Sequence, residues 1–398
     1  MNADYALIQG FYWCAYCAAG SYAAFYLQTS GFSGTATGLI IGIGSTLALI
    51  FPMILSPVID EGKKLMSAGA MLGTVLLQAA VGVWLLVSPG AGIVPGIIYV
   101  LWMGLMRSML PFCTEICVDA EYCGYRMDYS TGRAFGSFAF IIASAVLGKL
   151  LEKGPHTVLP KAALLLLLCL AGAVFTAEIL LKKHRNETDG RETGGKRTGE
   201  KSMGKSIPAF LKQYRNYRLL LLGLGLAFTG YGAVSEFLIN IVENLGGTAA
   251  DVGYINAVYA FLEIPAMLLW RRIASKKYAD KVLAASICFF VGKVAWIALA
   301  ESVPAVYVGA LFQFAGYGMF TPAIVAYTVK MIPYEDSAKA QSLAASMSTL
   351  GVILSGLLCG ILIDRFSVRR TMLLFAGVVA AGAFLCILSM VRMKKKGA

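Results

Sequence analysis

Charged side chains are scarce in this chain. Asp, Glu, Lys and Arg make up only 14% of its 398 residues, whereas 58% of the residues are hydrophobic. Soluble globular domains carry about 25% charged residues, so this composition leaves too little polar surface for a soluble protein of this size. The scarcity of charge therefore predicts an integral membrane protein.

Histidine is scarcer still, and no other catalytic grouping takes its place. The two histidines, His156 and His184, fall in predicted loops, so no imidazole is available for a proton relay within the apolar segments. The nine cysteines show no metal-binding spacing, and the apolar segments contain no Ser/His, His-rich or paired-Asp grouping. We therefore expect no metal, no cofactor and no enzymatic activity.

Long apolar runs, by contrast, are abundant. A helix needs about 20 residues to cross a hydrocarbon core of about 30 Å, whereas the strands of a membrane barrel are short and alternate in polarity. The runs predict an all-α membrane protein. No Lys or Arg precedes Tyr5, so we expect the first run to be a retained helix rather than a signal peptide. Twelve transmembrane helices are predicted at about residues 6–28, 36–58, 65–88, 92–119, 129–151, 158–182, 217–242, 251–270, 280–300, 303–331, 338–363 and 370–391.

The predicted helices fall into two sets of six. A polar, Gly-rich and basic stretch separates them and is typical of a flexible linker. We therefore predict an N-terminal six-helix bundle at 1–183, a cytoplasmic linker at 184–216 and a C-terminal six-helix bundle at 217–398. Two pseudo-symmetric halves with a solute site near the membrane midplane are typical of secondary transporters.

The distribution of basic residues predicts the orientation. Most of the 34 Lys and Arg residues fall in segments on the side of the N-terminus, with 364–370 as the exception. By the positive-inside rule, both termini are expected to be cytoplasmic in a plasma membrane, which is the inner membrane in a bacterium. Attraction to anionic membrane lipid accounts for the net charge of +12, so we expect no nucleic-acid partner.

A few charged side chains fall at hydrocarbon depth, where burial costs about 2.5–3.5 kcal/mol on insertion scales and each charge is a candidate functional residue. In the first half these are Arg107, Glu115 and Arg133. Glu115 lies near the end of the fourth span and Arg133 near the start of the fifth, so the two are expected at similar depth. They would either bind a polar solute or form a structural ion pair. Arg107 is either a site residue or the structural partner of another acid.

Polar residues also form stripes along two predicted helices. The first span carries Tyr5, Gln9, Tyr12 and Tyr16 at helical spacing, which suits a ring-bearing solute but also fits tyrosines packed between helices. The eighth span places Asn256, Tyr259 and Glu263 on one face.

Three further polar positions complete the second half. Lys293 lies at the middle of the ninth span, Gln313 lies in the tenth, and Glu236 is a buried acid in the seventh. Depth alone predicts a pairing of Glu263 with Lys293, as each would neutralise the other.

The segment Gly132-Arg133-Ala134-Phe135-Gly136-Ser137 resembles a pattern of the major facilitator superfamily, in the branch of lactose permease and the oligosaccharide and nucleoside proton symporters. The resemblance implies that Glu115 and Arg133 bind solute and that Phe140 stacks on it. A second similarity is Glu263-Ile264-Pro265 in the eighth span. The resemblance also implies a coupling role for Lys293 and a gating role for Asp60, Lys63 and Lys64.

One departure from the lactose permease pattern concerns the proton carrier. The histidine and glutamate of its tenth span correspond here to Gln313 and Gly316, which cannot carry a proton. If transport is coupled to protons, Glu263 is the first candidate carrier and Glu236 the second.

The resemblance implies a monomeric secondary transporter that works by alternating access. We expect it to move a small, hydroxyl-rich solute (a sugar, oligosaccharide or nucleoside-like compound) by proton symport. A drug/proton antiporter of the same fold and an uncoupled facilitator are the alternatives. The predicted solute-binding residues are Glu115, Arg133, Phe140, Arg107, Tyr12, Asn256 and Gln313.

Overall fold

The computed structural model describes residues 1–61, 67–87, 90–188, 206–273 and 278–396. Every regular element in these ranges is a helix. The first seven helices are α1 (Asn2–Tyr16), α2 (Ala23–Thr29), α3 (Gly34–Glu61), α4 (Ser67–Val87), α5 (Ile93–Tyr122), α6 (Tyr129–Lys153) and α7 (Val158–Thr188). The others are α8 (Ile207–Gln213), α9 (Arg215–Glu236), α10 (Leu238–Asn244), α11 (Ala249–Ile273), α12 (Ala279–Leu299), α13 (Val303–Ala310), α14 (Met319–Met331), α15 (Tyr334–Arg365) and α16 (Val368–Lys396).

Eleven helical stretches in the described ranges are long and apolar enough to cross a membrane. The first predicted span is different, because it is divided into α1, a five-residue π segment at Cys17–Ser21, and α2. The backbone leaves helical geometry at Tyr22, with φ −103° and ψ 17°. Because of this interruption, the first predicted span is not one of the eleven long helical stretches.

The chain divides into two compact units, Met1–Lys196 with Thr248–Ala257, and Arg197–Gly247 with Val258–Ala398. In unit 1, α1 packs on α6 and α7, and α5 packs on α3 and α4. In unit 2, α9 packs on α15 and α16, and α12 packs on α16 and α14. The predicted linker 184–216 includes 189–205, which lie outside the described residues.

Small residues allow the closest helix contacts in both units. A Cβ atom added to Gly44 of α3 would lie 2.8 Å from Met103 Cβ of α5. A Cβ atom added to Gly382 of α16 would lie 2.6 Å from the carbonyl oxygen of Gly223 on α9. Membrane helices associate through such close packing, because lipid provides no hydrophobic driving force between them.

The start of α11 packs within unit 1. The Ser144 hydroxyl donates to the carbonyl oxygen of Gly253 at 3.0 Å, and the Tyr22 hydroxyl donates to the carbonyl oxygen of Ser144, also at 3.0 Å. A Cβ atom added to Gly148 would lie 2.9 Å from the carbonyl oxygen of Ala249. Backbone contact between α6 and α11 therefore requires glycine here.

A tyrosine joins the short helix α8 to α15. The Tyr214 hydroxyl, between α8 and α9, donates to Asp336 Oδ2 at 2.8 Å. Burial, reinforced by this bond to a carboxylate, raises the pKa of Tyr214 to about 12. Tyr214 therefore remains a hydrogen-bond donor at neutral pH.

Asp119 of α5 binds the backbone of α4. Its Oδ2 accepts from the backbone N–H of Ser67 at 3.0 Å, and the residue is buried. Ser67 is itself buried, and a buried backbone N–H needs a hydrogen-bond acceptor. Asp119 is thus a structural residue that fixes α4 against the end of α5.

We expect Asp119→Ala to lower the thermal stability of the purified protein, because leaving the buried N–H of Ser67 without its acceptor costs about 1–3 kcal/mol. Thermal unfolding in detergent measures this loss. Glu121→Ala is the matched control, since Glu121 is an exposed carboxylate near the same end of α5. Equal melting temperatures for the two variants would contradict this structural role.

Candidate functional site

The contact between α1 and α6 depends on two glycines one turn apart. A Cβ atom added to Gly132 would lie 2.5 Å from Tyr5 Cδ1, and one added to Gly136 would lie 2.7 Å from Trp13 Cδ1. The absence of side chains at these positions lets aromatic residues of α1 lie directly on the α6 backbone. The glycines of the sequence motif therefore serve helix packing.

Arg133, between these glycines, is positioned by an aromatic ring and a hydroxyl. Its guanidinium carbon lies 4.2 Å from the centroid of the Trp13 ring, and its Nη1 donates to Ser137 Oγ at 2.9 Å. A cation over an aromatic face gains about 0.5–1 kcal/mol when exposed and about 2 kcal/mol when desolvated. Arg133 is half-buried, so both contacts help to fix its orientation.

Trp13 is the centre of this site. Its Nε1 donates to Gln9 Oε1 at 3.2 Å, and Gln9 Nε2 donates to the Tyr5 hydroxyl at 2.9 Å. The edges of Tyr12 and Phe140 pack against Trp13, with ring centroids 5.3 and 6.2 Å away. We call Gln9, Tyr12, Trp13, Arg133, Ser137 and Phe140 the Trp13 cluster.

Trp13 was not among the residues predicted from the sequence. The available signal was its position one turn after Gln9 in the polar stripe of the first span. A second signal was the glycine pair on the predicted fifth span, which leaves room for a large ring.

The other predicted residues of unit 1 lie around this cluster at different depths. Tyr12 is buried and donates to the carbonyl oxygen of Met106 at 3.4 Å. Arg107 is half-buried on α5 and, like Arg133, acts electrostatically on the Tyr12 hydroxyl. Glu115 is exposed on α5, and its pairing with Arg133 stays a prediction.

In unit 2, a hydrogen-bonded chain joins the predicted pair Glu263 and Lys293 through Gln313. Lys293 is only 1% exposed, and its Nζ donates to Gln313 Oε1 at 2.8 Å. Gln313 Nε2 donates to Glu263 Oε1 at 2.9 Å. A buried charge is tolerated only when it is paired and hydrogen-bonded. The Gln313 amide gives both the Lys293 ammonium group and the Glu263 carboxylate a hydrogen-bond partner.

Tyrosine rings enclose the Lys293 ammonium group. Its Nζ lies 3.6 Å from the Tyr259 ring centroid and 4.6 Å from that of Tyr231. Tyr231 in turn stacks on Tyr317, with centroids 5.6 Å apart and planes inclined by 15°. The rings stabilise the cation through their negative faces. We call Tyr231, Tyr259, Glu263, Lys293, Gln313 and Tyr317 the Lys293 cluster.

The helix geometry changes from α to π at the Lys293 cluster. The π segment Phe314–Gly318 begins directly after Gln313 and contains Tyr317. A Cβ atom added to Gly318 would lie 2.6 Å from Ala266 Cβ on α11. The π segment and this glycine bring the backbone of the tenth predicted span close to the helix that carries Glu263. Such π turns occur frequently at functional sites.

The remaining predicted residues lie outside the two clusters. Asn256 is half-buried in the part of α11 that belongs to unit 1. Glu236 is the last residue of α9 and is half-buried. Asp60 belongs to α3, whereas Lys63 and Lys64 lie outside the described residues.

A sequence model described as the "MFS_1 like family" matches residues 5–388. The chain belongs to the MFS_1-like family. The predicted membership of the major facilitator superfamily and the all-α fold of about twelve membrane helices are thereby confirmed. The protein is a multi-pass membrane protein of this family.

Two curated relatives match part of this chain. The "Putative sugar efflux transporter" of Deinococcus radiodurans is 31% identical over 162 residues, which cover 39% of this chain and 41% of the relative. The "Probable 3-phenylpropionic acid transporter" of Escherichia coli K12 is 25% identical over 278 residues, which cover 68% of this chain and 66% of the relative. The chain thus matches less than two thirds of the length of either relative.

Solved structures share the fold across the whole chain. The nucleoside transporter NupG aligns with a TM-score of 0.78 at 16% identity, covering 99% of both chains. A bacterial homologue of the human lysosomal transporter Spinster, in an inward-facing and unoccupied conformation, aligns with a TM-score of 0.68 at 14% identity, covering 99% of this chain and 97% of the homologue. At these identities the likeness shows the fold of this chain and nothing of its solute.

We expect Gly136→Ala to destabilise the protein and displace Trp13. The added Cβ atom would lie 2.7 Å from Trp13 Cδ1 and 3.2 Å from the carbonyl oxygen of Gln9, and overpacking of this kind typically costs about 1–3 kcal/mol. Gly172→Ala on α7 is the matched control, since no atom lies within 4 Å of its added Cβ. Thermal unfolding and tryptophan fluorescence measure both variants. A melting temperature of Gly136→Ala as high as that of the control would contradict the packing role.

Proposed function

We propose that the protein is a secondary active transporter that moves a small, polar, hydroxyl-rich solute by alternating access and proton symport. The solute would be a sugar, oligosaccharide or nucleoside-like compound. The observation that carries this proposal is Arg133 held between the Trp13 ring and Ser137. We further propose that the protein works as a monomer in the bacterial inner membrane with both termini cytoplasmic.

The chemistry of the Trp13 cluster suits such a solute. Aromatic rings stack on the apolar faces of sugars and bases, while a few polar groups fix their orientation. A guanidinium carries five N–H donors, of which the bond to Ser137 uses one. The carboxylate of Glu115 would accept from solute hydroxyls. Arg107, Phe140 and Asn256 are further proposed solute contacts, whereas Tyr12, which is buried and donates to the carbonyl oxygen of Met106, is proposed to support Trp13.

The name of one relative supports this solute class. It is named a sugar efflux transporter, and sugars are rich in hydroxyls. A second candidate solute is an aromatic carboxylate, because its ring would stack on Trp13 while its carboxylate pairs with Arg133. The name of the other relative, a 3-phenylpropionic acid transporter, belongs to that class.

The Lys293 cluster is the proposed site of proton coupling. With Glu263 ionised, the chain from Lys293 through Gln313 to Glu263 is neutral overall. A proton on Glu263 would leave one uncompensated positive charge, and the charge-assisted bond from Gln313 would become a neutral bond of about half the strength. This change in charge would bias the conformational equilibrium of the transporter. Glu236 is the second candidate carrier, and Asp60, Lys63 and Lys64 are proposed gating residues.

Thermal-shift measurements test the solute site. The panel contains sucrose, methyl β-glucoside, uridine, 3-phenylpropionate and a hydrophobic cationic drug. A ligand at 100 times its Kd stabilises the folded state by about 2.7 kcal/mol. We expect stabilisation by a hydroxylated solute in the wild type and its loss in Glu115→Gln and in Trp13→Leu.

Phe138→Leu is the matched control for these measurements, since Phe138 is a 56% exposed aromatic residue of the same helix α6. It should bind as the wild type does. Stabilisation by 3-phenylpropionate alone would favour the aromatic carboxylate. Stabilisation by the drug alone, unchanged in Glu115→Gln, would overturn the solute site in favour of a drug antiporter.

Proteoliposomes test the coupling. With the solute that the panel identifies, Glu263→Gln is expected to abolish accumulation driven by a pH gradient but to retain counterflow, which needs no net proton movement. Glu335→Gln, which changes an exposed carboxylate at the start of α15, should behave as the wild type. Wild-type transport that a pH gradient cannot drive uphill would identify an uncoupled facilitator instead.

A further inference from the structure

We infer that Gln313 is a positioning residue, whose side-chain amide holds Lys293 and Glu263 in a fixed relation and does not bind solute. This inference deepens the proposed function and rests on it for the coupling role of Glu263. The sequence had predicted Gln313 as a solute-binding residue, and its contacts in the structure favour the different role.

The first argument is the hydrogen-bonding capacity of the amide. A glutamine side chain has two N–H donors and an oxygen with two lone pairs. Its Nε2 donates to Glu263 Oε1 and to the Tyr231 hydroxyl, both at 2.9 Å. Its Oε1 accepts from Lys293 Nζ at 2.8 Å and from the Tyr231 hydroxyl at 3.0 Å. The Tyr231 hydroxyl lies within bonding distance of both amide atoms and counts as one partner, so three protein groups engage the amide on its donor and acceptor sides and a solute would have to compete with them.

The second argument is access. Gln313 is 2% exposed and Lys293 is 1% exposed. The ring of Phe290 packs 5.2 Å from that of Tyr231, on whose hydroxyl the amide depends. A residue that selects a solute by direct contact must be reachable from the solute pathway, and Gln313 is enclosed.

The third argument is the polarity of the amide. Its oxygen faces the ammonium group and its N–H groups face the carboxylate, so the two charges determine one orientation. A glutamate at this position would place a second acceptor against Glu263, and an apolar residue would leave two buried charges without their common partner. Removing one member of a buried polar pair costs the full desolvation penalty of the partner. An uncharged side chain with both a donor and an acceptor is therefore required.

A double-mutant cycle on stability tests the inference without any solute. Gln313→Met preserves length and removes the amide. We expect it to lower the melting temperature by several degrees in the wild type, and by less than half as much in a Glu263→Gln, Lys293→Met background, where no buried charge needs the amide. Gln313→Asn, which retains the amide on a shorter side chain, serves if Gln313→Met does not fold. Equal losses in both backgrounds would overturn the inference.

Transport measurements with radiolabelled uridine and methyl β-glucoside separate a positioning role from a merely structural one. We expect Gln313→Met to bind the probe within about threefold of the wild type and to retain counterflow, while accumulation driven by a pH gradient falls more than tenfold. A more than tenfold loss of probe affinity would identify a solute ligand, and equal losses of accumulation and counterflow would identify a structural residue. Either result would overturn the inference.

The two tests fail in different ways. If the wild type transports neither probe, or transports one without coupling, the proposed function fails. The stability cycle would still decide whether Gln313 joins the two buried charges.

Discussion

The packing of unit 2 around Lys293 depends on one constraint, which is that the buried ammonium group must be stabilised by neighbouring groups. Lys293 is almost fully enclosed, and an ammonium group removed from water costs several kcal/mol unless its surroundings replace the lost hydration. The replacement comes from the amide oxygen of Gln313 and from the faces of Tyr259 and Tyr231. These groups come from α9, from α11 and from the residue directly before the π segment. The single charge on α12 therefore links three other parts of the unit. The carboxylate of Glu263 restores neutrality through the same amide.

Arg133, the cation of the Trp13 cluster in unit 1, lies in a different environment from Lys293. The chemistry of arginine and lysine side chains explains the difference. A guanidinium is planar and weakly hydrated, so it can stack on a single ring and keep donors for other partners, whereas an ammonium is a compact and strongly hydrated charge. Arg133 accordingly lies half-buried on Trp13, while Lys293 is enclosed by two rings and an amide. The accessible cation is suited to meet a solute, and the enclosed one is suited to sense the charge of a neighbouring carboxylate.

The sequence predicted these features to different extents. Membrane helices were recognisable because an apolar run of about 20 residues matches the thickness of the hydrocarbon core, and Glu263 and Lys293 stood out because charges are rare at that depth. Depth does not give the direction in which a side chain points, so the link through Gln313, 20 positions from Lys293 and 50 from Glu263, was not predictable. Trp13 was missed because its place in the stripe of the first span gains meaning only once Gly132 and Gly136 are known to face that stripe across the contact between α1 and α6. The break of the first span at Cys17–Ser21 leaves no signal in hydropathy either.

The motif at residues 132–137 of α6 determines both a helix contact and the position of a charge. Its glycines, Gly132 and Gly136, determine how closely α1 approaches, because any side chain there would collide with Tyr5 or Trp13. Its arginine supplies the charge beside that contact. Helix packing tolerates few residues at a close crossing, whereas solute selection can change with a single hydrogen-bonding group. A motif of this type therefore indicates the pairing of two helices more strongly than it indicates a solute.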